Sequence, residues 1–165
     1  MKSIEKLESY FEHEMPLLIQ KLQPETQPLW GTMNATKMLD NLNDPFKLCT
    51  GVYPFPEGSI LEKAEKFKVI TLLSDRALPK GFDNPLIRLL SKSTDLEHEQ
   101  AKTDLQAGYQ LFKAYFISKG AAHTMPHNIF GYLNYHEWLW FHYKHFSHHF
   151  AQFGLIPYIE RFELE

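Results

Sequence analysis

The chain has 165 residues, of which 44% are hydrophobic and 22% are charged, and its formal net charge at neutral pH is −3. This length fits a single domain, residues 1–165, and the composition is that of a folded protein rather than a disordered one. The charge gives no basic excess for binding nucleic acid or an anionic membrane surface, and no apolar run is long enough to span a bilayer.

The cellular context is predicted from the cysteine content and the N-terminal residues. Cys49 is the single cysteine, which excludes an internal disulfide and fits a reducing compartment. The first residues lead into a charged amphipathic stretch instead of an apolar one, so no signal peptide is predicted. We therefore expect a cytoplasmic protein.

Apolar spacing predicts two helices in the first 50 residues. One stripe at intervals of three and four contains Ile4, Leu7, Phe11, Met15, Leu18 and Leu22. Pro16 lies inside this stripe and predicts a kink or two short helices. Asn34 is the predicted N-cap of a second helix, which is bent by Pro45 and closed by Gly51. The inward side chains of this second helix are Met38, Leu39, Leu42, Phe46 and Cys49.

The rest of the chain predicts three more helices and no strand. A capping-box pattern at Ser59–Glu62 opens a third helix that reaches about Leu73. Residues 75–93 are predicted to be irregular, with one turn near Leu86–Leu90. The fourth helix is predicted over 95–119 and the fifth over 135–153, each followed by a glycine. These elements predict an all-α fold in which long helices pack antiparallel in a bundle.

The fifth helix is unusual because it holds five of the nine histidines, namely His136, His142, His145, His148 and His149. One face of this helix presents Trp138, His142, His145, His149 and Phe153. The helix carries few charges, so this face is predicted to turn into the core. Its imidazoles then need hydrogen-bond partners or a metal.

His145 and His149 are four residues apart, which places their Cβ atoms roughly 5–6 Å from each other on the helix. Both rings can converge on one cation, or they can form a metal-free hydrogen-bonded pair. His142 lies roughly 10 Å from His149 along the helix axis and cannot easily join the same cation. A complete metal site therefore needs a third ligand from another helix.

Other reactive side chains are interpreted as structural. Cys49 is expected to be a buried core residue rather than a nucleophile. His148 is expected to bond a backbone carbonyl or another helix rather than the same metal. His13, His123 and His127 are interpreted as surface or loop residues, with the alternative that His127 closes over a site at the mouth of the bundle.

Three segments of the chain resemble DinB-like proteins. Trp30–Asn41 resembles their tryptophan-glycine-x-methionine segment, which ends in methionine-leucine-x-histidine. His127–Gly131 resembles their histidine-proline-x-phenylalanine-glycine turn, and Asn134–Gly154 resembles their final helix. The order and spacing are similar from about Phe11 to Leu155, and the nearest branch is an uncharacterised one in the DinB/YfiT-like superfamily.

This resemblance implies an antiparallel four-helix bundle of DinB-like type with an additional short helix and long loops. Relatives of this kind are often homodimers, and they hold a divalent metal such as zinc or nickel with three histidines. His145 and His149 match two of these ligands, and Asn41 stands at the position of the third. The implied function is a metal-dependent transferase or hydrolase acting on a small molecule, with thiol-dependent transfer as in relatives. The alternative is a metal-free bundle that binds a small molecule or forms a dimer core.

Overall fold

The computed structural model describes residues 1–82, 84–90 and 97–164. Its α-helices are α1 (Ile4–Ser9), α2 (Met15–Lys21), α3 (Ala35–Cys49), α4 (Ala64–Phe67), α5 (Pro85–Leu90), α6 (His98–Lys119) and α7 (Tyr135–Gln152). Two π-helical turns, Tyr10–Glu14 and Lys68–Leu72, continue α1 and α4, and two short strands are β1 (Met125–His127) and β2 (Gly131–Leu133). The described residues are mostly helical, so the predicted all-α class is confirmed in its coarse form.

The long helices pack on one another around a shared hydrophobic core. Helix α3 lies along α6 and also contacts α7, while α1 contacts α7 and α2 contacts α6. Gly108 permits the close approach of α3 and α6, because a Cβ atom there would lie 2.0 Å from Asn43 Oδ1. None of the helices in the described ranges has the length and hydropathy needed to cross a bilayer.

The predicted kink near Pro16 takes the form of a π-helical turn. The turn spans Tyr10–Glu14, and Pro16 follows it in the first turn of α2. Proline lacks the N–H that an α-helix needs and its ring clashes with the carbonyl four residues earlier. A wider turn before the proline relieves both problems while Phe11 and Met15 stay buried.

The expectation that the chain contains no strand is wrong. Strands β1 and β2 form an antiparallel hairpin in which Met125 pairs with Leu133 and His127 with Gly131. Three-residue strands are too short to show the alternating pattern from which strands are recognised in a sequence. The turn between them is closed by His127, whose Nδ1 accepts the N–H groups of Ile129 at 3.1 Å and Phe130 at 3.3 Å.

The third helix starts later than predicted. The Ser59–Glu62 segment does not form a capping box, and helix α4 begins at Ala64 without a side-chain cap. Tertiary contact explains the difference: the Leu61 N–H donates to the carbonyl oxygen of Asn128 in the hairpin turn, 2.8 Å away. This bond holds the segment as a turn and delays the helix.

The fifth helix agrees with the sequence pattern, whereas the fourth starts later than predicted: Glu97 is the extended N-cap of α6, which begins at His98. Residues 95–96 of the predicted fourth helix, and residues 83 and 91–93 of the predicted irregular segment, lie outside the described residues. Within that segment, Pro85–Leu90 forms helix α5. Gly120 ends α6 with a positive φ of 87°, a conformation that favours glycine. Helix α7 ends at Gln152, one residue before the predicted end.

Candidate metal and small-molecule site

Helix α7 is fixed at its start by a reciprocal capping box. The Asn134 side chain accepts the Glu137 N–H at 3.0 Å, and the Glu137 carboxylate accepts the Asn134 N–H at 3.0 Å. These bonds satisfy two donors at the N-terminus of the helix and set where its turns begin. The face that carries Trp138, His142 and His145 is thereby turned towards the core, as the sequence predicts.

The structure brings the three predicted side chains together between α3 and α7. His145 Nε2 lies 3.0 Å from Asn41 Oδ1 and 3.1 Å from His149 Nε2. Both imidazoles are buried and Asn41 is half-buried. His145 Nε2 therefore lies within hydrogen-bond distance of both the Asn41 oxygen and His149 Nε2, and all three side chains line the same pocket.

Helix α3 contains a proline, Pro45, one turn after Asn41. Proline has no N–H, so it cannot donate to the carbonyl oxygen four residues earlier, which is that of Asn41. The backbone carbonyl of Asn41 therefore lacks the N–H donor that it would have in a regular helix. Pro45 contributes to the wall of the adjoining pocket as well.

A pocket of about 70 Å³ opens beside the three side chains. Its polar lining consists of Asn41, Asn84, His145 and His149, and its apolar lining consists of Met33, Pro45, Phe82, Ile87 and Phe141. Each water molecule needs about 10–15 Å³ of space that a water-sized sphere can reach. The pocket therefore holds several waters or a small ligand group. The imidazoles form one polar side of a mainly apolar pocket.

Both site histidines are neutral at physiological pH. Burial lowers the pKa of His149 to about 4, with a further contribution from the neighbouring His148. Burial, followed by the proximity of His149, lowers the pKa of His145 well below its usual range. A neutral imidazole has a free lone pair on one nitrogen, which is the form that binds a metal without first releasing a proton.

The distance between the two histidine nitrogens suits a divalent cation, whereas the third candidate ligand, an amide oxygen, suits it less well. Two nitrogen ligands of a tetrahedral zinc ion lie about 3.3 Å apart, close to the 3.1 Å between the two Nε2 atoms. The Asn41 amide oxygen is a weaker ligand for zinc or nickel than a third imidazole. Within the described ranges, no group of three or more histidine, cysteine, aspartate or glutamate side chains is placed to hold a metal.

A second group of buried side chains lies beside the site and faces aromatic rings. The His142 ring packs on Phe46, with centroids 3.9 Å apart, and its Nε2 lies 3.9 Å from Cys49 Sγ. Burial raises the pKa of the Cys49 thiol well above its usual range, as expected for a structural cysteine. Cys49 and His142 therefore belong to the core rather than to the pocket.

The interpretation of His127 as a surface or loop residue is wrong. Its side chain is 1% exposed and packs against Phe130, Trp138 and Phe141. Burial lowers its pKa to about 3. The strands that bury His127 were not predicted, and the resemblance of His127–Gly131 to a turn was the sequence signal at this position.

His148 behaves as expected, and Gln152 is a site neighbour that the sequence argument did not single out. His148 Nδ1 donates to the carbonyl oxygen of Leu78 at 3.3 Å. Gln152 Oε1 lies 2.7 Å from His149 Nδ1, and Gln152 Nε2 donates to the carbonyl oxygen of Trp30 at 2.8 Å. A glutamine three residues after a candidate ligand histidine is the sequence signal for such a contact.

Comparison with known proteins adds no relative to these observations. The chain matches no protein-family model, no curated protein and no solved structure. The site is therefore interpreted from its own geometry, and the resemblance of the sequence segments stays a prediction.

Proposed function

We propose that this is a DinB-like protein that holds a divalent cation, zinc or nickel, with Asn41, His145 and His149 at one side of a small-molecule pocket. The observation that carries the proposal is the meeting of these three donor atoms, at separations of 3.0 and 3.1 Å, beside a pocket. The neutral state of both imidazoles adds to its support, because protonated histidines do not bind metal ions.

The proposed activity is transfer or hydrolysis on a small molecule, with a thiol as the acceptor in the transfer case. A divalent cation supplies Lewis-acid chemistry, which makes a thiol or water nucleophile available at neutral pH. His145 and His149 hold the ion and Asn41 adds a weaker oxygen contact. Phe82, Phe141 and the other apolar wall residues exclude water and select a mainly apolar substrate group.

The second candidate function is a metal-free pocket that binds a small molecule without catalysis. It is favoured by the Asn41 amide, since the same three atoms also form a hydrogen-bonded set in which the His145 N–H donates to Asn41 Oδ1. In that case a ligand with a polar group replaces part of this set. A homodimer remains a prediction of the resemblance, and a cytoplasmic location remains a prediction from the single cysteine and the N-terminal residues.

Metal titration of purified, untagged protein separates the two functions. Zinc and nickel are titrated calorimetrically into wild type, Asn41→His, His149→Ala and His13→Ala, the last being an exposed histidine outside the site. We expect weak binding by wild type, about 100-fold tighter binding by Asn41→His, and no binding by His149→Ala. His13→Ala is expected to match wild type.

The outcomes identify which function fails. Tight binding that survives His149→Ala would place the metal elsewhere and overturn the proposed site. An absence of binding in both wild type and Asn41→His would overturn the metal function and support the metal-free pocket. Repeating the titration at about pH 5.5 should leave binding at this site nearly unchanged, because burial keeps the pKa values of both imidazoles low and the ligands stay neutral there. Strong weakening already at this pH would point to exposed histidines as the ligands.

A further inference from the structure

Gln152 connects the candidate site to a distant turn of the chain. Its Nε2 lies 2.8 Å from the carbonyl oxygen of Trp30, and its Oε1 lies 2.7 Å from Nδ1 of His149. The side chain is 6% exposed, so water competes little for either contact. The Gln152 backbone carbonyl also accepts the N–H of Leu29 at 2.7 Å, which ties the same turn to the end of α7.

The orientation of the Gln152 amide follows from its two neighbours. A backbone carbonyl only accepts hydrogen bonds, so the end of the amide that faces Trp30 is the NH₂ group. The other end is then the carbonyl oxygen, which also only accepts. The proton between Gln152 Oε1 and His149 must therefore be carried by His149 Nδ1.

This assignment fixes the state of the other imidazole nitrogen. A neutral imidazole carries one N–H and one lone pair. With the proton on Nδ1, the lone pair of His149 lies on Nε2, which is the atom 3.1 Å from His145 Nε2 at the edge of the pocket. The opposite tautomer would point an N–H into the site and block it as a ligand.

We propose that Gln152 is a positioning residue that holds His149 in the Nδ1–H tautomer, and that the Trp30–Gly31 turn in turn holds Gln152. The tautomer assignment rests on the hydrogen bonds alone. Its consequence for metal affinity rests on the proposed function. Through these contacts, a turn more than 100 residues away in the sequence helps to determine which nitrogen of His149 carries the proton.

Gly31 supports this role of the turn. It has a positive φ of 79°, and a Cβ atom built on it would lie 2.9 Å from Gln152 Nε2. That distance is shorter than normal van der Waals contact, and the backbone conformation is one that favours glycine. An alanine at this position is therefore expected to displace the Gln152 amide as well as strain the turn.

The alternative is that Gln152 only ties the Trp30 turn to the end of α7. Two substitutions separate the roles. Gln152→Met keeps the approximate size and removes both hydrogen bonds. Gln152→Glu keeps an acceptor for His149 Nδ1–H but loses the donor to Trp30. If Gln152 positions His149, Gln152→Glu keeps the Nδ1–H tautomer of His149 and Gln152→Met loses it. If Gln152 only ties the turn to α7, both variants lose the contact to Trp30 and have the same effect on the tautomer.

The experiment measures the His149 tautomer directly by long-range ¹⁵N–¹H NMR of histidine-labelled, metal-free protein near neutral pH. We expect the Nδ1–H form in wild type and in Gln152→Glu. We expect at least about a fivefold shift towards the Nε2–H form in Gln152→Met and in Gly31→Ala. The matched control is Gln100→Met, since Gln100 is an exposed glutamine on α6 that bonds Asp104.

Zinc titration of the same variants tests the consequence for binding. In an Asn41→His background, Gln152→Met should weaken zinc binding by about tenfold or more, and Gln100→Met should not change it. If the tautomer shifts as expected but no variant binds metal, the positioning role stands and the proposed metal function fails. If metal binds and Gln152→Met changes neither the tautomer nor the affinity, the positioning role is overturned and the metal function stands. Gly31→Ala and Gln152→Glu keep the test decisive if Gln152→Met does not fold.

Discussion

Two pairs of buried histidines in this protein differ in their surroundings, one pair lying beside a polar pocket and the other among aromatic rings. His145 and His149 contact each other beside a pocket, and His145 also contacts the Asn41 amide, whereas His142 and His127 are enclosed by aromatic rings. His142 shares its face of α7 with the site pair, one turn away. For His145 and His142, which share this face of α7, the difference lies in the opposing residue on α3, which is Asn41 beside the pocket and Phe46 in the core.

The pairs also differ in how well their nitrogen atoms are satisfied. His127 Nε2 and His142 Nδ1 are buried and have no hydrogen-bond partner among the described residues. Each such atom costs about 1–3 kcal/mol of folding stability. In the site, each Nε2 has at least one polar neighbour, and only His145 Nδ1 lacks one within the described part of the chain. The core pair therefore stays neutral at a cost, while the Nε2 atoms of the site pair are hydrogen-bonded to each other or to Asn41.

Cysteine labelling should give the largest contrast between core and pocket. Cys49 contacts His142 and is fully buried, so a thiol reagent reaches it only when the protein opens. For a domain stabilised by about 5 kcal/mol, we expect labelling to be roughly 10,000-fold slower than in the denatured chain.

The control places a cysteine in the pocket. Asn41→Cys in a Cys49→Ala background should label within about a hundredfold of the denatured rate, because its side chain lines an open pocket. Fast labelling of Cys49 in the native protein would show that the side of α7 around His142 is not closed, and the contrast between the pairs would fail.

Acid unfolding should be the next largest effect. The folded-state pKa of His149 is about 4, below its unfolded value of about 6.5, so the unfolded chain binds the proton first as the pH falls. Stability is therefore full above about pH 6.5 and declines towards pH 4, by about 3 kcal/mol from His149 alone. Burial shifts the pKa of His127 and His142 in the same direction.

Urea unfolding in the presence of a chelator, measured from neutral pH to about pH 5, checks this slope. His142→Phe should flatten the slope, because it removes one proton-binding group from the unfolded state. His13→Ala, the change at an exposed histidine, is the matched control. An equal free energy of unfolding at both ends of this range would contradict the buried, neutral state of these histidines.

Substitutions of His142 should separate packing from polarity. His142→Ala leaves a cavity between Phe46 and Trp138, and we expect a loss of about 2–4 kcal/mol of unfolding free energy. His142→Phe keeps the ring and removes the unpartnered nitrogen, so its effect should stay within about 1 kcal/mol. Denaturant unfolding measures both values. A larger loss for Phe than for Ala would show that the core does not accept the larger ring, and the account of His142 as a packing residue would fail.

The smallest effect is expected at the edge of the pocket. Asn41 is half-buried, so water can replace its amide oxygen as the partner of His145 Nε2. We therefore expect Asn41→Ala to change the free energy of unfolding by less than about 1 kcal/mol. A loss as large as that of His142→Ala would place Asn41 in the core with Phe46 and remove the distinction between the two pairs.

The sequence alone determined the features that depend on local periodicity. The apolar stripe, the Asn134–Glu137 cap and the four-residue spacing of His145 and His149 predict helix α7 and the face that turns inward. They also predict that the two rings meet, since residues four apart on a helix are neighbours. The fit of Asn41 to the same point came from the resemblance of its segment, not from any local pattern.

Tertiary structure alone decided the features that depend on what lies opposite each residue. The β1–β2 hairpin buries His127 and holds back the start of α4 through the Leu61–Asn128 bond, and neither three-residue strand has a sequence pattern of its own. The contact from Trp30 to Gln152 joins residues more than 100 positions apart. Periodicity records which face of a helix is apolar, but it carries no information on which side chain of another segment meets that face. Whether an imidazole on α7 becomes a candidate ligand or a core residue is therefore set by the packing of α3 and the Trp30 turn against it.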